Sequence, residues 1–307
     1  MTTTRWWARC VAAGAVALGL AHGSAEAVAV SVNPVLPNQN ALAVPSFGDF
    51  NIALTFLDST GAVSSPGAQI EGIFNNAVTF WEGQIAGYRD PGLAADIPFL
   101  EIDVTIDAID GVSNILGFAG PTVATVSGGF VTPNAGQITL DVDDINNFLS
   151  FQGGIDFIEA VAIHEMAHVM GFVPSVWDLN GVVANEVDGF FTEYTGFYGL
   201  QAYNTEFAAE LGGPVAFIPL EDAGGPGTQG AHWDEQGFAN FSLLNGTNAN
   251  VNPEIMTGFL NNANYLSQTT RWSFQDIGYA VLPLPAAGWM LLAALGVLFS
   301  VGHVRRA

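Results

Sequence analysis

Apolar and polar residues alternate in DFNIALTFLD (49–58), the two-residue period of a strand with one wet face. From 68 to 85 the spacing changes. Ile70, Ile73, Phe74, Ala77, Val78 and Trp81 recur at helical intervals and predict an amphipathic helix. FLEIDVTIDAID (99–110) returns to alternation and predicts a second strand, while 111–136 is loop-rich around one short apolar segment, TVATVSGG. QITLDVDDI (137–145) predicts a third strand, placed at a sheet edge because turns flank it. FIEAVAIHEMAHVM then shows helical spacing, predicting a helix over 157–170 with Asp156 and Glu159 as its N-terminal cap and Gly171 as its stop. Strand, helix, strand, strand, helix in that order predicts an α+β fold whose twisted mixed sheet lies over the last helix. Beyond Phe172 the pattern weakens into Gly- and aromatic-rich loops. One helix is predicted over 197–211, and RWSFQDIGYAVLP reads as a closing helix with a strand-like exit.

The ends of the chain follow other rules. Arg5 and Arg9 precede an apolar run from Cys10 to Ala21, and Ala25-Glu26-Ala27 offers a small-x-small cleavage site, so 1–27 reads as an export signal. Cys10 is the one cysteine, and its loss with that signal leaves a chain without disulfides. At the other end, Ala286–Gly302 is uncharged and apolar, near the lower length limit for a membrane span, and Arg305 and Arg306 follow it. That charge bias places the C-terminus on the cytoplasmic side and the domain outside. Between these ends lie a Pro- and Asn-rich lead-in (28–48), an N-terminal lobe (49–175) and a loop-rich C-terminal lobe (176–282), roughly 255 residues in all.

There is no lysine, and Arg89 and Arg271 are the only basic residues from 28 to 282, against 28 of the chain's 29 acidic residues. Such a surface repels nucleic acid and anionic lipid, so membrane contact is confined to the C-terminal segment. The acidity also raises calcium. Neither DVTIDAID nor LDVDDI has the Gly and terminal Glu of an EF-hand loop, so the wet face of a strand is the preferred reading and a calcium site the alternative. Asn240-Phe241-Ser242 and Asn245-Gly246-Thr247 fit the glycosylation pattern and read here as ordinary loop residues.

The candidate chemistry lies in HEMAHVMGF (164–172). His164 and His168, four apart on a helix, project from one face and can share one zinc ion through neutral ring nitrogens. Glu165 sits beside that ion, where a carboxylate can take a proton from water and later return it to a leaving amine. A third ligand must come from elsewhere. Of five histidines, His22 and His303 fall in the terminal segments, leaving His232; a carboxylate from Glu186, Glu193, Glu221 or Glu235 is the competing choice.

Four blocks in order, HEMAHVMGF, GAHWDE, EIMTG and FQDIGYAV, resemble the leishmanolysin-like branch of the metzincin zinc endopeptidases. The likeness runs from about Ile155 to Val281. Most metzincins place the third histidine six residues after the second, where this chain has Pro174; the leishmanolysin branch inserts a segment there, and His232 fits it. The resemblance implies a metzincin-like zincin fold and Met256 as the methionine of the turn beneath the metal. It also implies cleavage of protein or peptide substrates with Glu165 as base. The peptide would lie along an edge strand, taken as 137–142, with a tyrosine hydroxyl, not singled out by the sequence, aiding the oxyanion. The family's disulfides and cysteine-dependent latency have no counterpart here. VLPLPA, the apolar stretch and the terminal arginines together resemble C-terminal sorting signals of the PEP-CTERM type, implying an exosortase-like processing partner and the surface of a Gram-negative bacterium. Two other functions stay open: a non-catalytic surface or matrix protein on a peptidase scaffold, and a zinc hydrolase acting on something other than peptides.

Overall fold

A computed structural model describes residues 44–57, 67–225, 227–234, 254–258 and 265–282, and the backbone of 4–5, 15–18 and 31–32. The C-terminal segment 283–307, and the export signal apart from those short stretches, lie outside the described residues. Among the described residues no helix is long and apolar enough to cross a membrane.

The fold is α+β. Its main sheet contains β1 (Ile52–Phe56), β3 (Leu100–Asp107), β4 (Asn114–Ser127) and β5 (Phe130–Asp141), in the order β4-β5-β3-β1. β2 (Ile85–Tyr88) lies outside it and is followed by a short helix, α2 (Pro91–Asp96). β1, β3 and β5 run parallel, whereas β4 is antiparallel to β5. β3 alternates buried and wetter positions along its length, with Glu101 and Asp103 exposed, so its acidic residues do form a wet face.

Two expectations need correcting. Residues 137–141 are not at an edge: β5 pairs with β3 on one side and β4 on the other. The region expected to be loop holds β4, the strand next to β5 on the outer side. Its many small residues (Gly117, Ala119, Gly120, Ala124) and Pro121 hide the alternation. Pairing imposes the strand instead. Gly128 and Gly129 both have positive φ (60° and 87°), as a two-residue type I′ hairpin turn requires, and the register runs back from Ser127↔Phe130 to Gly117↔Leu140. The short segments Thr4–Arg5 and Ala15–Leu18 pair antiparallel with the outer side of β4.

The DVDD run also differs from expectation. The strand ends at Asp141, whose carboxylate accepts from the backbone N–H of Asp143 and Asp144 and so caps a helix, α3 (Val142–Leu149). The same carboxylate accepts from Ile109, Asp110 and Gly111, so it also holds the loop after β3.

α1 (Gly67–Glu82) and α4 (Gly154–Val169) pack together beneath the sheet. Trp81, fully buried, donates its indole N–H to the Ile163 carbonyl at 2.9 Å. α4 starts three residues before its expected start, after Gly153 at φ 87°, and no side chain caps it. Asp156 lies in its first turn, and Glu159 accepts from Asn76 of α1. Helix and sheet approach closely at Gly136, where a Cβ would lie 2.5 Å from Val169 Cγ1 and 2.6 Å from the Gly120 carbonyl oxygen. Gly136→Ala is therefore expected to cost about 1–3 kcal/mol by overpacking. Denaturant titration of the metal-free protein checks this, and a change below roughly 0.5 kcal/mol would contradict so close an approach.

Beyond α5 (Pro174–Leu179) the chain is less irregular than expected. β6 (Val183–Val187) and β7 (Phe190–Tyr194) form a hairpin extended by β8 (Ile218–Pro219). The single helix expected over 197–211 is two, α6 (Phe197–Glu206) and α7 (Ala208–Leu211), divided at Phe207. β9 (Tyr265–Leu266) leads into α8 (Gln268–Ser273), and a short 3-10 turn precedes β10 (Tyr279–Val281), which pairs antiparallel with β2. Arg89, at the end of β2, reinforces this closure. Its guanidinium lies over the rings of Phe130 and Tyr198, and Nη1 donates to the Gln275 carbonyl at 2.6 Å.

Candidate metal centre

The helix exit shapes the first part of the site. Gly171 leaves α4 at φ 110° and donates to the His168 carbonyl, while Phe172 donates to the Ala167 carbonyl. This Schellman pattern needs a residue at ease with positive φ. A Cβ at 171 would also meet Ile277 Cδ1 at 2.8 Å. The turn brings the Phe172 carbonyl back over the helix, where it accepts from His168 Nδ1 at 2.6 Å.

The other two histidines are held in the same way. His164 Nδ1 donates to the Ile255 carbonyl at 2.6 Å and His232 Nδ1 to the Thr228 carbonyl at 3.0 Å. A carbonyl can only accept, so each Nδ1 carries the ring proton and each Nε2 presents a bare lone pair. These three Nε2 atoms converge, with separations of 3.1, 3.1 and 3.2 Å. None has a proton to offer another, so the contacts are not hydrogen bonds; they are three acceptors facing one point. Zinc–nitrogen bonds of about 2.0–2.1 Å at near-tetrahedral angles would give a closely similar spacing. Among the described residues these histidines form the one group of three potential ligands whose atoms all lie within 4.8 Å of one another. Glu186, Glu193 and Glu221 are not in that group, and Glu235 lies outside the described residues.

Burial keeps the rings neutral. It lowers the His168 pKa to about 4, and with repulsion from His168 it takes His232 to about 3. His164 is held well below the ordinary value by burial, then by the other two rings. Metal binding therefore displaces no proton from these nitrogens at neutral pH.

Glu165 is fully buried, and neither of its carboxylate oxygens has a hydrogen-bond partner. Burial pushes its pKa up to about 8. Gly117 of β4 abuts it: a Cβ there would stand 3.5 Å from Glu165 Oε1, so no side chain at that position separates the carboxylate from the strand.

An aromatic cluster supports the centre. The Phe172 ring packs edge-on against Trp177 (4.7 Å) and Trp233 (4.9 Å), and the two indoles stack at 6.0 Å. Trp233 follows His232, so this packing fixes the backbone at His232, and the Trp233 backbone N–H donates to the Met256 carbonyl. Met256 is fully buried in the segment 254–258, next to the residue whose carbonyl holds His164. The tyrosine expected near an oxyanion is not identified; the buried Tyr194 hydroxyl is engaged by Asp276 at 2.9 Å.

Sequence reasoning did not reach the three backbone carbonyls, the strand beside Glu165, or Glu254. Backbone acceptors carry no residue signature, and Gly117 is one glycine among 36. Neither a scan of the chain against protein-family models nor a search of curated proteins finds a match.

Proposed function

We propose that the protein is an exported zinc-dependent endopeptidase of metzincin type, with His164, His168 and His232 holding the ion and Glu165 acting as general base. One observation carries this reading: three unprotonated Nε2 atoms 3.1–3.2 Å apart, with the residue after His164 a buried carboxylate that has no partner of its own. That donor set suits zinc, and three protein ligands leave the fourth position for water or substrate. Zinc held there supplies Lewis acidity toward the scissile carbonyl and toward a water molecule. Glu165 takes the proton from the attacking water at a carboxylate oxygen and passes it to the departing amide nitrogen. Its dry surroundings suit a base that must work near neutral pH.

β4, rather than residues 137–142, is the strand along which a peptide would lie. Its outer side pairs antiparallel with Ala15–Leu18, with Val16 opposite Gly117, the residue abutting Glu165. An extended backbone is thus accepted beside the catalytic base. Loss of the export signal leaves this edge free for a substrate to add as a further strand.

The test is digestion of an unfolded, general protein substrate by the protein recovered after export from a bacterial host, with and without a zinc chelator. Chelator-sensitive cleavage is the expected result. Cleavage indifferent to chelation would sink the proposal, and one zinc per chain without cleavage would favour a binding protein on a peptidase scaffold.

A further inference from the structure

Glu254 is a fully buried carboxylate with an unusual set of partners. Its Oε2 accepts from the Met256 N–H at 2.6 Å; its Oε1 accepts from the Ser267 N–H (3.1 Å), the Ser267 hydroxyl (2.9 Å) and the Thr270 hydroxyl (2.6 Å). The direction of the hydroxyl bonds is set by the neighbours. Thr270 Oγ1 accepts from the Trp233 indole N–H at 2.7 Å and Ser267 Oγ from the Thr270 N–H at 2.9 Å; the Thr270 proton goes to Glu254, and the Ser267 proton has Glu254 as its nearer acceptor (2.9 Å, against 3.2 Å to Thr270 Oγ1). Burial pushes the Glu254 pKa up to about 7, and the four donors on its two oxygens pull it toward the ionised, acceptor-only form.

Two paths lead from this carboxylate to the histidines. Through Met256 N–H it fixes the 254–256 backbone, and the Ile255 carbonyl within it accepts from His164 Nδ1. Through the Thr270 hydroxyl it reaches the indole of Trp233, the residue after His232. The Trp233 N–H to Met256 carbonyl bond joins the two paths.

We infer that Glu254 is a positioning residue for the metal centre: one buried carboxylate sets the orientation of two of the three histidine ligands, which lie on separate segments. The inference rests on the metal reading above. It goes beyond ordinary core stabilisation because Glu254 acts through the Ile255 carbonyl, which selects the tautomer of a ligand. Glutamine cannot replace it. Both oxygens face N–H donors, so whichever way the amide is turned its NH2 meets another donor.

The experiment compares zinc affinity, by chelator competition, and the visible spectrum of the cobalt-substituted protein in the full exported chain. Glu254→Gln is expected to weaken zinc binding about 10–100-fold and to change the cobalt d–d bands. Ile73→Ala, a cavity variant on the buried face of α1, is the control for simple destabilisation and is expected to keep both properties. Should Glu254→Gln not fold, Thr270→Val removes one of the two paths and is expected to weaken zinc about tenfold by the same mechanism. Wild-type affinity and an unchanged cobalt spectrum in either folded variant would overturn the inference and leave the metal reading intact. Failure of the wild-type chain to take up zinc or cobalt would instead overturn the metal reading, and this inference with it.

Discussion

His232→Ala is expected to lose most of its bound zinc, with an affinity loss of at least about 100-fold. Removing a group that merely orients a ligand typically costs 10–100-fold, and here a ligand itself goes. His164 and His168 would remain one turn apart on α4, still fixed by the Ile255 and Phe172 carbonyls, but two nitrogens do not complete a zinc site. Among the described residues, Glu221 is the competitor nearest to His232 along the backbone pairing. Glu221 is buried, and its N–H donates to the His232 carbonyl, so the two residues pair through their backbones. Metal analysis after dialysis separates the choices. Near-full zinc retention in His232→Ala, with loss in Glu221→Gln, would move the third ligand to the carboxylate. A circular dichroism spectrum like that of the wild type would show that the loss reflects the ligand and not the fold.

The parts of this centre that sequence made legible share one property: their geometry is local. His164, Glu165 and His168 are set by helical periodicity alone, and the Gly171 stop by its φ preference. His232 was reachable by counting, because few histidines exist and two lie in the terminal segments. β4 was not reachable. Nothing in NILGFAGPTVATVS alternates strongly, and its strand state comes from pairing with β5 through the Gly128-Gly129 turn. Asp141 misled for a related reason. In LDVDDI it continues a strand pattern, yet its carboxylate collects five backbone N–H groups from two segments, which only tertiary structure brings together. Glu254 stood in a recognised block without a role, since its partners at 267 and 270 follow on a separate segment. In this chain, residue type is informative for the side chains that converge at the candidate site, and uninformative where backbone groups orient those side chains.

Glu165→Gln is expected to keep one zinc per chain and to lose catalysis by about 10²–10⁴-fold in kcat, the range typical of a positioned general base. The amide has nearly the volume of the carboxylate and fills the same dry space, so α4 and its two histidines should not move. Burial already holds the acid toward its neutral form, with a pKa pushed up to about 8, so a neutral replacement adds little strain to the metal-free protein. What the amide lacks is the ability to accept a proton from water. In the proposed mechanism, ground-state binding of a peptide along β4 does not use the carboxylate, so KM is expected to change much less than kcat. Three measurements together decide the role: zinc content, kcat and KM on one peptide. Undiminished turnover would remove Glu165 as the base. Loss of zinc alongside turnover would make it a ligand instead, and one of the three histidines would then need another explanation. Retained zinc with turnover abolished is the outcome expected of the proposed base, a buried carboxylate without a bonded partner and outside the cluster of three histidines.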